Sequence, residues 1–288
     1  MNVQALLAHE FPVETQSYGA RDCSLYALSA GYGQDPMDER QLQYVYGDAP
    51  KTAGGMALVL ANPGFWQRQP WTGIDWARCV LGEQRIATHR PLPAAGRIAS
   101  QLRVTRITDK GRQFGAMLHA ERTLHDADNG MHYATLSMVT ICRGDGGFGG
   151  PPDDSTRLPA VPARAPDIQA EQPTLPQQAL LFDLHGIVNP VHSWPAAARQ
   201  AGYPRPFLHG VCLMGLVQHA IARELAAYDT DGIATLSARF RGLFYPGETL
   251  LLSLWRDGDQ VRYEAHAKER STLAVEGSAR LQPAGALQ

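Results

Sequence analysis

Apolar and polar residues alternate over long stretches in two separate parts of the chain. Because successive side chains of a strand point to opposite faces of a sheet, this period of two predicts strands with one buried face. Turn-forming runs such as Asp257-Gly258-Asp259 separate them, as expected for antiparallel neighbours. The predicted strands are Arg97–Val104, Gln113–Arg122 and His132–Cys142 in the first part, and Ala234–Arg241, Thr249–Arg256, Gln260–Lys268 and Leu273–Leu281 in the second.

The segments ahead of these strands predict helices of different quality. Gly210 to Tyr228 is apolar at helical spacing and on more than one face, which predicts a helix enclosed by a curved sheet. The corresponding segment of the first part, Gly54 to Gln67, is interrupted by three glycines and a proline. Its helix is predicted to be shorter or partly unwound, which would leave room for a long ligand. Short helices are also predicted for Arg21 to Gly31 and Pro176 to Gly186.

A Gly- and Pro-rich stretch separates the two parts, from Gly144 to about Leu175. Proline removes backbone donors and fixes the backbone, so the stretch predicts an extended connection over the surface. We therefore predict a first repeat at residues 1–150, a linker at 151–175 and a second repeat at 176–288.

Composition narrows the functional classes. The chain has 288 residues, with 26 Lys plus Arg against 28 Asp plus Glu, a net charge of −2 that favours neither nucleic-acid binding nor a polybasic membrane contact. The four cysteines have no CxxC spacing and predict free thiols. We see no secretory signal, no run of about 18 apolar residues and no peroxisomal SKL ending, so a cytoplasmic protein without a membrane segment is expected.

One motif carries candidate chemistry. Asn189-Pro190-Val191-His192 is followed closely by Leu208-His209-Gly210-Val211-Cys212, which places an imidazole ahead of a glycine-led helix. Histidine moves protons at neutral pH, and the first amides of a helix can hold a developing oxyanion. The pairing predicts chemistry on a carbonyl compound, and a thioester is the expected one.

These residues belong to a series of short motifs whose order and spacing resemble the type 2, (R)-specific enoyl-CoA hydratases, which are related to MaoC-like dehydratases and to the hydratase part of peroxisomal multifunctional enzymes. The resemblance runs over nearly the whole chain. It rests on Arg21-Asp22, Tyr26-Ala27-Leu28, Val45-Tyr46, Gly82-Glu83-Gln84, Pro91 to Gly96, Gly146 to Gly150, Asn189 to His192, Ala198, Ala201-Gly202-Tyr203, Pro206 to Cys212, Ala238-Arg239-Phe240 and Tyr245-Pro246-Gly247.

The resemblance implies an α+β double hot-dog: two repeats, each an antiparallel sheet around a central helix, forming a pseudo-dimer in one chain. It implies an acyl-CoA substrate and reversible addition of water to the 2,3 double bond, with no cofactor beyond the coenzyme A of the substrate. Asn189 and His192 match the family's Gly-Asp-x-Asn-Pro-x-His motif, and Gly210 falls at the oxyanion-hole position. Gly186 matches the motif's glycine, but Ile187 occupies the position of the catalytic aspartate.

Isoleucine can neither orient water nor carry a proton. Ile187 therefore decides how much of the family's function can be expected of this chain. Three interpretations stay open: a hydratase or dehydratase in which His192 acts alone or with a displaced carboxylate, another thioester reaction such as hydrolysis, and a protein that only binds an acyl thioester. A candidate carboxylate is Asp183, where the family has arginine, since a helix would place it on one face with Ile187.

Other residues have both a functional and a structural interpretation. His209 and His185 are candidates for lining the substrate site. A histidine just before a helix, as His209 is, more often packs as a structural residue. Arg205 and Arg241 are candidates for contacts with coenzyme A phosphates. Trp66, Trp71 and Trp76 either line an acyl tunnel or belong to the core, the commoner fate of aromatic residues.

Two further features favour structure over chemistry. The glycines from Gly146 to Gly150 lack the context of a phosphate-binding loop, so they predict the start of the linker. Asp22 and Glu83 are too far apart in sequence to argue an acid pair, and we see no set of residues with metal-ligand spacing. Because hot-dog sheets have long edges that need covering, a homodimer is expected.

Overall fold

The computed structural model describes residues 1–150 and 160–283. The prolines at 151, 152 and 159 of the predicted linker and the C-terminal tripeptide lie outside these ranges. The strands are β1 Glu14–Tyr18, β2 Cys79–Thr88, β3 Gly96–Asp109, β4 Ala116–Asp126, β5 His132–Cys142, β6 Ile168–Pro173, β7 Ile233–Phe240, β8 Thr249–Asp257, β9 Gln260–Ala267 and β10 Thr272–Leu281.

The α-helices are short except for one. They are α1 Val3–Ala8, α2 Ala20–Ser29, α3 Glu39–Leu42, α4 Gln178–Asp183, α5 Pro195–Gln200 and α6 Gly210–Leu225. Among the seven 3₁₀ helices of the described residues are Gly54–Leu58 at the centre of the first repeat and Pro190–His192 in the candidate motif. Within the described residues, no helix is long and apolar enough to cross a membrane.

The ten strands of the described residues form one antiparallel sheet in the order β1-β3-β4-β5-β2-β7-β10-β9-β8-β6. The first five strands and the last five have the same connectivity, mirrored about the pairing of β2 with β7, where Arg85 is opposite Ser237. At this seam the Glu83 carboxylate accepts from Arg239 at 2.7 Å, so the acid that the sequence left unassigned joins the two repeats. The predicted double hot-dog, two repeats of helix and antiparallel sheet, is confirmed.

Helix α6 is the centre of the second repeat. Every residue from Cys212 to Ala222 is buried, which explains why the helix is apolar on more than one face. Its counterpart in the first repeat is only the 3₁₀ turn Gly54–Leu58, so the predicted shortening is confirmed. The backbone amide of Gly55 donates to Gln218 of α6 at 2.7 Å, and a Cβ at Gly55 would lie 2.6 Å from the Gln218 side-chain oxygen. Glycine thus permits the two central segments to touch.

A buried arginine holds this unwound segment. Arg122 of β4 is 1% exposed. It donates to the carbonyls of four residues in or just after the 3₁₀ turn, namely Ala57, Leu58, Leu60 and Ala61. A helix that stops after one turn leaves carbonyls without donors, and here one guanidinium supplies them. Burial lowers the pKa of Arg122, but the ring of carbonyls favours the charged form.

Three of the observed strands, β1, β2 and β6, were not predicted from the sequence. Strands β1 and β6 lie at the two edges of the sheet, and their more buried positions include polar residues such as Gln16 and Gln172, so the hydrophobic pattern is weak. Pro173 is tolerated because an edge residue needs no ladder donor on its outer side. Strand β6 also occupies part of the segment predicted as a linker, so the extended connection before the second repeat is shorter than expected. Strand β2 is flanked by β5 and β7, and Gly82 interrupts its pattern at a register shift.

The tryptophans belong mainly to a second hydrophobic cluster. Trp66 packs edge-on against Phe11, and Trp71 stacks beside His9, under the N-terminal helix. Trp76 is 41% exposed. The structure therefore favours core packing over an acyl tunnel for Trp66 and Trp71.

Candidate functional site

The chain enters the candidate site through a tight turn after α4. Helix α4 ends at Asp183, whose carbonyl accepts from the amide of Gly186 at 3.0 Å. Gly186 has φ +79°, a left-handed conformation that favours glycine, and a Cβ there would contact nothing. Gly186 is exposed, and this turn leads the chain from α4 into residues 187–189. The turn accounts for glycine at this position, and the predicted contact of Gly186 with substrate stays a prediction.

His192 ends the 3₁₀ helix Pro190–His192 and is half-buried. Its Nδ1 lies 2.9 Å from the Phe207 carbonyl, an acceptor, so Nδ1 carries the hydrogen and Nε2 has the lone pair. Among the described residues nothing bonds to Nε2. Burial, with help from the neighbouring His209, lowers the pKa of His192 to about 3, so the imidazole is neutral and able to accept a proton at pH 7.

Asn189 opens the same 3₁₀ helix, and its carbonyl accepts from the His192 amide at 3.0 Å. Its side chain does not cap the helix and makes no hydrogen bond to any residue the structure describes. The half-buried carboxamide is thus available for a ligand beside His192.

The N-terminus of α6 supplies candidate oxyanion donors. Helix α6 begins at Gly210, and the structure gives the Gly210 amide no hydrogen bond within the described part of the chain. A Cβ at Gly210 would lie 3.0 Å from the Phe240 ring, so glycine lets the strand side chain approach the helix start. Free amides at the positive end of a 16-residue helix favour negative charge.

Ile187 packs against the main hydrophobic core. The expectation that Asp183 and Ile187 share a helical face is wrong, because α4 ends at Asp183 and Ile187 lies beyond the glycine turn. The structure nevertheless brings Asp183 into the site by another route. Its Oδ1 lies 3.0 Å from Nε2 of His209, and its Oδ2 accepts from Ser193.

His209 is 2% exposed and stacks beside His192, with ring centroids 4.0 Å apart. Burial lowers the pKa of His209 to about 4, although the nearby backbone of Ile187 opposes the shift. His185, the other uncertain histidine, lies 3.0 Å from the Ser29 hydroxyl of α2 and is half-buried rather than exposed. The sequence offers Asp183, His185 and His209 singly but gives no signal that they meet, since residues 183 and 209 are far apart along the chain.

Arg205 lies at the surface near this region. Its guanidinium lies over the Tyr245 ring, 4.1 Å from the centroid, and 4.0 Å from Glu248, with a side chain 57% exposed. Arg241 is similarly exposed and 3.7 Å from Glu276. Both arginines are accessible to a ligand phosphate, and the predicted contact with coenzyme A stays a prediction.

Two sequence features are structural. The amides of Gly147 and Gly149 donate to the Asp109 carboxylate at 2.8 and 2.6 Å, so this glycine loop holds one of the chain's own anions. Asp22 accepts a hydrogen bond from the Gly19 amide and caps α2, so it has a structural role and does not form an acid pair with Glu83.

The fold also assembles a group that sequence spacing did not reveal. Cys79 and Cys142 face each other on β2 and β5, and their sulfur atoms and an Asp145 oxygen lie within 4.8 Å of one another. The chain's terminal ammonium already pairs with Asp145 at 2.9 Å and supplies that carboxylate with positive charge. The four cysteines are free thiols, as predicted.

Comparison with known proteins agrees with this architecture. Residues 16–144 match the family model of the MFE-2 hydratase 2 N-terminal domain, and residues 157–277 match that of the MaoC like domain. The crystal structure of a MaoC-like dehydratase from Phytophthora capsici superposes with a TM-score of 0.84 at 25% identity, covering 99% of each chain. Fold and site thus define a double hot-dog protein of the hydratase class.

The sequence relatives identify the family. The chain is 37% identical over 289 residues to enoyl-CoA hydratase ChsH3 of Mycobacterium tuberculosis, covering 99% of each. It is 32% identical over 299 residues to the peroxisomal enoyl-CoA hydratase 2 of Arabidopsis thaliana, covering 96% of this chain and 94% of the relative. The chain belongs to the family of MaoC-like dehydratases and type 2 enoyl-CoA hydratases.

Proposed function

We propose that this chain adds water reversibly across the 2,3 double bond of a 2-enoyl-CoA thioester and gives the (R)-3-hydroxyacyl-CoA. The observation that carries the proposal is the state of His192. Its Nδ1 is fixed by the Phe207 carbonyl, and its Nε2 has no partner among the described residues, ahead of the α6 N-terminus. A neutral, oriented imidazole beside free amides is what hydration of a conjugated thioester requires.

The reaction divides between these groups. His192 Nε2 takes a proton from water as the water oxygen bonds to C3, and the π electrons move to the thioester oxygen. The amide of Gly210 donates to that oxygen, and Asn189 orients the water or the acyl group. Return of the proton to C2 completes the addition, so the net reaction consumes one water and no cofactor.

Ile187 sets the expected rate. A positioned acid–base group typically contributes about 10²–10⁴-fold, or roughly 3–5 kcal/mol of barrier. Without the motif carboxylate, hydration should be slower than in a relative that has it unless another group compensates. The same substitution is the observation that favours the alternative, a protein that binds an acyl thioester without turning it over.

The test is loss of the enoyl-thioester absorbance with crotonyl-CoA and longer trans-2-enoyl-CoAs, for the wild type and His192→Ala. We expect turnover by the wild type and at least a 10²-fold lower kcat in His192→Ala, on the scale of a lost general base. A wild type that binds enoyl-CoA in calorimetry but leaves the absorbance unchanged would instead establish the binding role.

The assembly and location are further proposals. We propose a homodimer in the cytoplasm, with Arg205 meeting a phosphate of coenzyme A. Sedimentation analysis tests the dimer, and Arg205→Ala tests the contact: a several-fold higher KM for acyl-CoA, with an unchanged KM for the matching pantetheine thioester, is expected.

A further inference from the structure

Three buried polar atoms at the candidate site make no aligned hydrogen bond within the described residues. They are Oδ1 of Asp183 and both ring nitrogens of His209. The carboxylate oxygen lies 3.0 Å from Nε2 of His209, close enough for charge to act although the geometry is not that of a hydrogen bond. Buried polar groups are nearly always paired, and exceptions in native structures call for a functional explanation.

These atoms lie next to His192, the proposed base. The His209 ring is stacked 4.0 Å from the His192 ring at 36°, so Asp183, His209 and His192 form a continuous line. The carboxylate end of this line is held by Ser193, which donates to Oδ2. Asp183 therefore has a fixed position, with one oxygen bonded to a serine and the other directed at an imidazole.

Two other ionisable side chains lie near this line. His185 faces His209 from the turn after α4, and Asp22 of α2 faces His185. His209 opposes protonation of His192, whereas the negative charge of Asp183 favours it. When His192 takes a proton from water, it becomes a cation in a largely buried site, and such a cation needs a nearby negative charge.

The motif position gives no such charge, because Ile187 is an apolar, partly buried side chain that packs against the core. We propose that Asp183, acting through His209, is the counter-charge that stabilises protonated His192 in place of the missing motif aspartate. The inference rests on the proposed hydration. Asp183 is a positioning residue: the proton passes from water to His192 Nε2 and from there to C2, and Asp183 exchanges none with the substrate.

The first experiment separates this role from a structural one. Asp183→Asn keeps the shape of the side chain and its contact with Ser193 but removes the charge. We expect kcat on trans-2-enoyl-CoA to fall by about 10²-fold while KM changes less than about threefold, because only the charged transition state loses an interaction. Asp229→Asn, which removes a partly buried carboxylate paired with Lys51 at 2.5 Å, is the matched control and should leave kcat within about twofold.

The second experiment is rescue. In the Asp183→Asn background, Ile187→Asp returns a carboxylate to the motif position, and we expect it to raise kcat at least about tenfold. The same substitution in the wild type should raise kcat less than about threefold, since the charge is already supplied. Equal effects of Ile187→Asp in both backgrounds would overturn the inference.

The two failures are distinguishable. A wild type that hydrates no enoyl-CoA overturns the proposed function and this role with it. An active wild type whose kcat is unchanged in Asp183→Asn leaves the proposed function standing and overturns the role of Asp183. A loss of kcat accompanied by an equal loss of folded protein, with no rescue, would assign Asp183 to structure alone.

Discussion

Replacing Arg122 by methionine tests how the first repeat tolerates an unwound central segment. The substitution keeps an apolar stem of similar length and removes the donors to four carbonyls, those of Ala57, Leu58, Leu60 and Ala61. At about 1 kcal/mol for each orphaned carbonyl the cost is about 4 kcal/mol. Release of the desolvated cation offsets part of it, and loss of one partner from a buried charged network typically costs about 3–5 kcal/mol.

Urea denaturation followed by circular dichroism measures this change in the free energy of unfolding. For a chain of this size, about 2 °C per kcal/mol converts it to a Tm lower by about 6–10 °C. The matched control is Arg103→Met, an exposed arginine on β3 paired with Glu121 at 2.6 Å, which should cost less than about 0.5 kcal/mol. A cost for Arg122→Met within about 1 kcal/mol of the control would refute the claim that the guanidinium holds the segment.

Three further predictions concern the site and its histidines. Gly210→Ala places a Cβ against the Phe240 ring and should lower kcat about 10²-fold by displacing the oxyanion amide, with partial recovery in Gly210→Ala/Phe240→Leu. Gly186→Ala should cost about 1 kcal/mol in thermal denaturation from its positive φ, yet leave kcat unchanged, since no atom lies near the new methyl group. The free energy of unfolding should fall as pH drops from 7 to 5. Burial lowers the pKa of His192 and His219 to about 3 in the folded protein, whereas histidines of the unfolded chain take up protons near pH 6.5. His219→Gln should therefore flatten the dependence of Tm on pH.

Much of the fold could be predicted because burial on one face leaves a local pattern. Strand β5 was predicted with its observed ends, and α6 to within three residues at its C-terminus, since both bury residues at a regular period. The edge strands β1 and β6 were missed because their more buried positions include polar residues such as Gln16 and Gln172, so burial alternates but hydrophobicity does not. The segment Gly54–Leu58 was predicted to be unwound from its glycines, but the buried Arg122 that holds it acts from a distant strand and leaves no local signal.

The candidate site, like the fold, could be predicted only in part from the sequence. Asn189, His192 and Gly210 could be proposed from the sequence because their motif is contiguous or closely spaced, and their roles stay predictions. The contact of Asp183 with His209 depends on where α4 stops and on how the chain turns at Gly186, and a prediction that extended the helix placed Asp183 on the wrong neighbour. A linear motif cannot register a carboxylate that reaches the site from outside the motif, as Asp183 does.

The most direct test of hydration by His192 is the product formed from a trans-2-enoyl-CoA, resolved by chiral chromatography, for the wild type beside His192→Gln. We predict the (R)-3-hydroxyacyl-CoA from the wild type and a formation rate at least about 10²-fold lower from the variant. The (S) product, or equal rates from the two proteins, would contradict a hydration carried by His192.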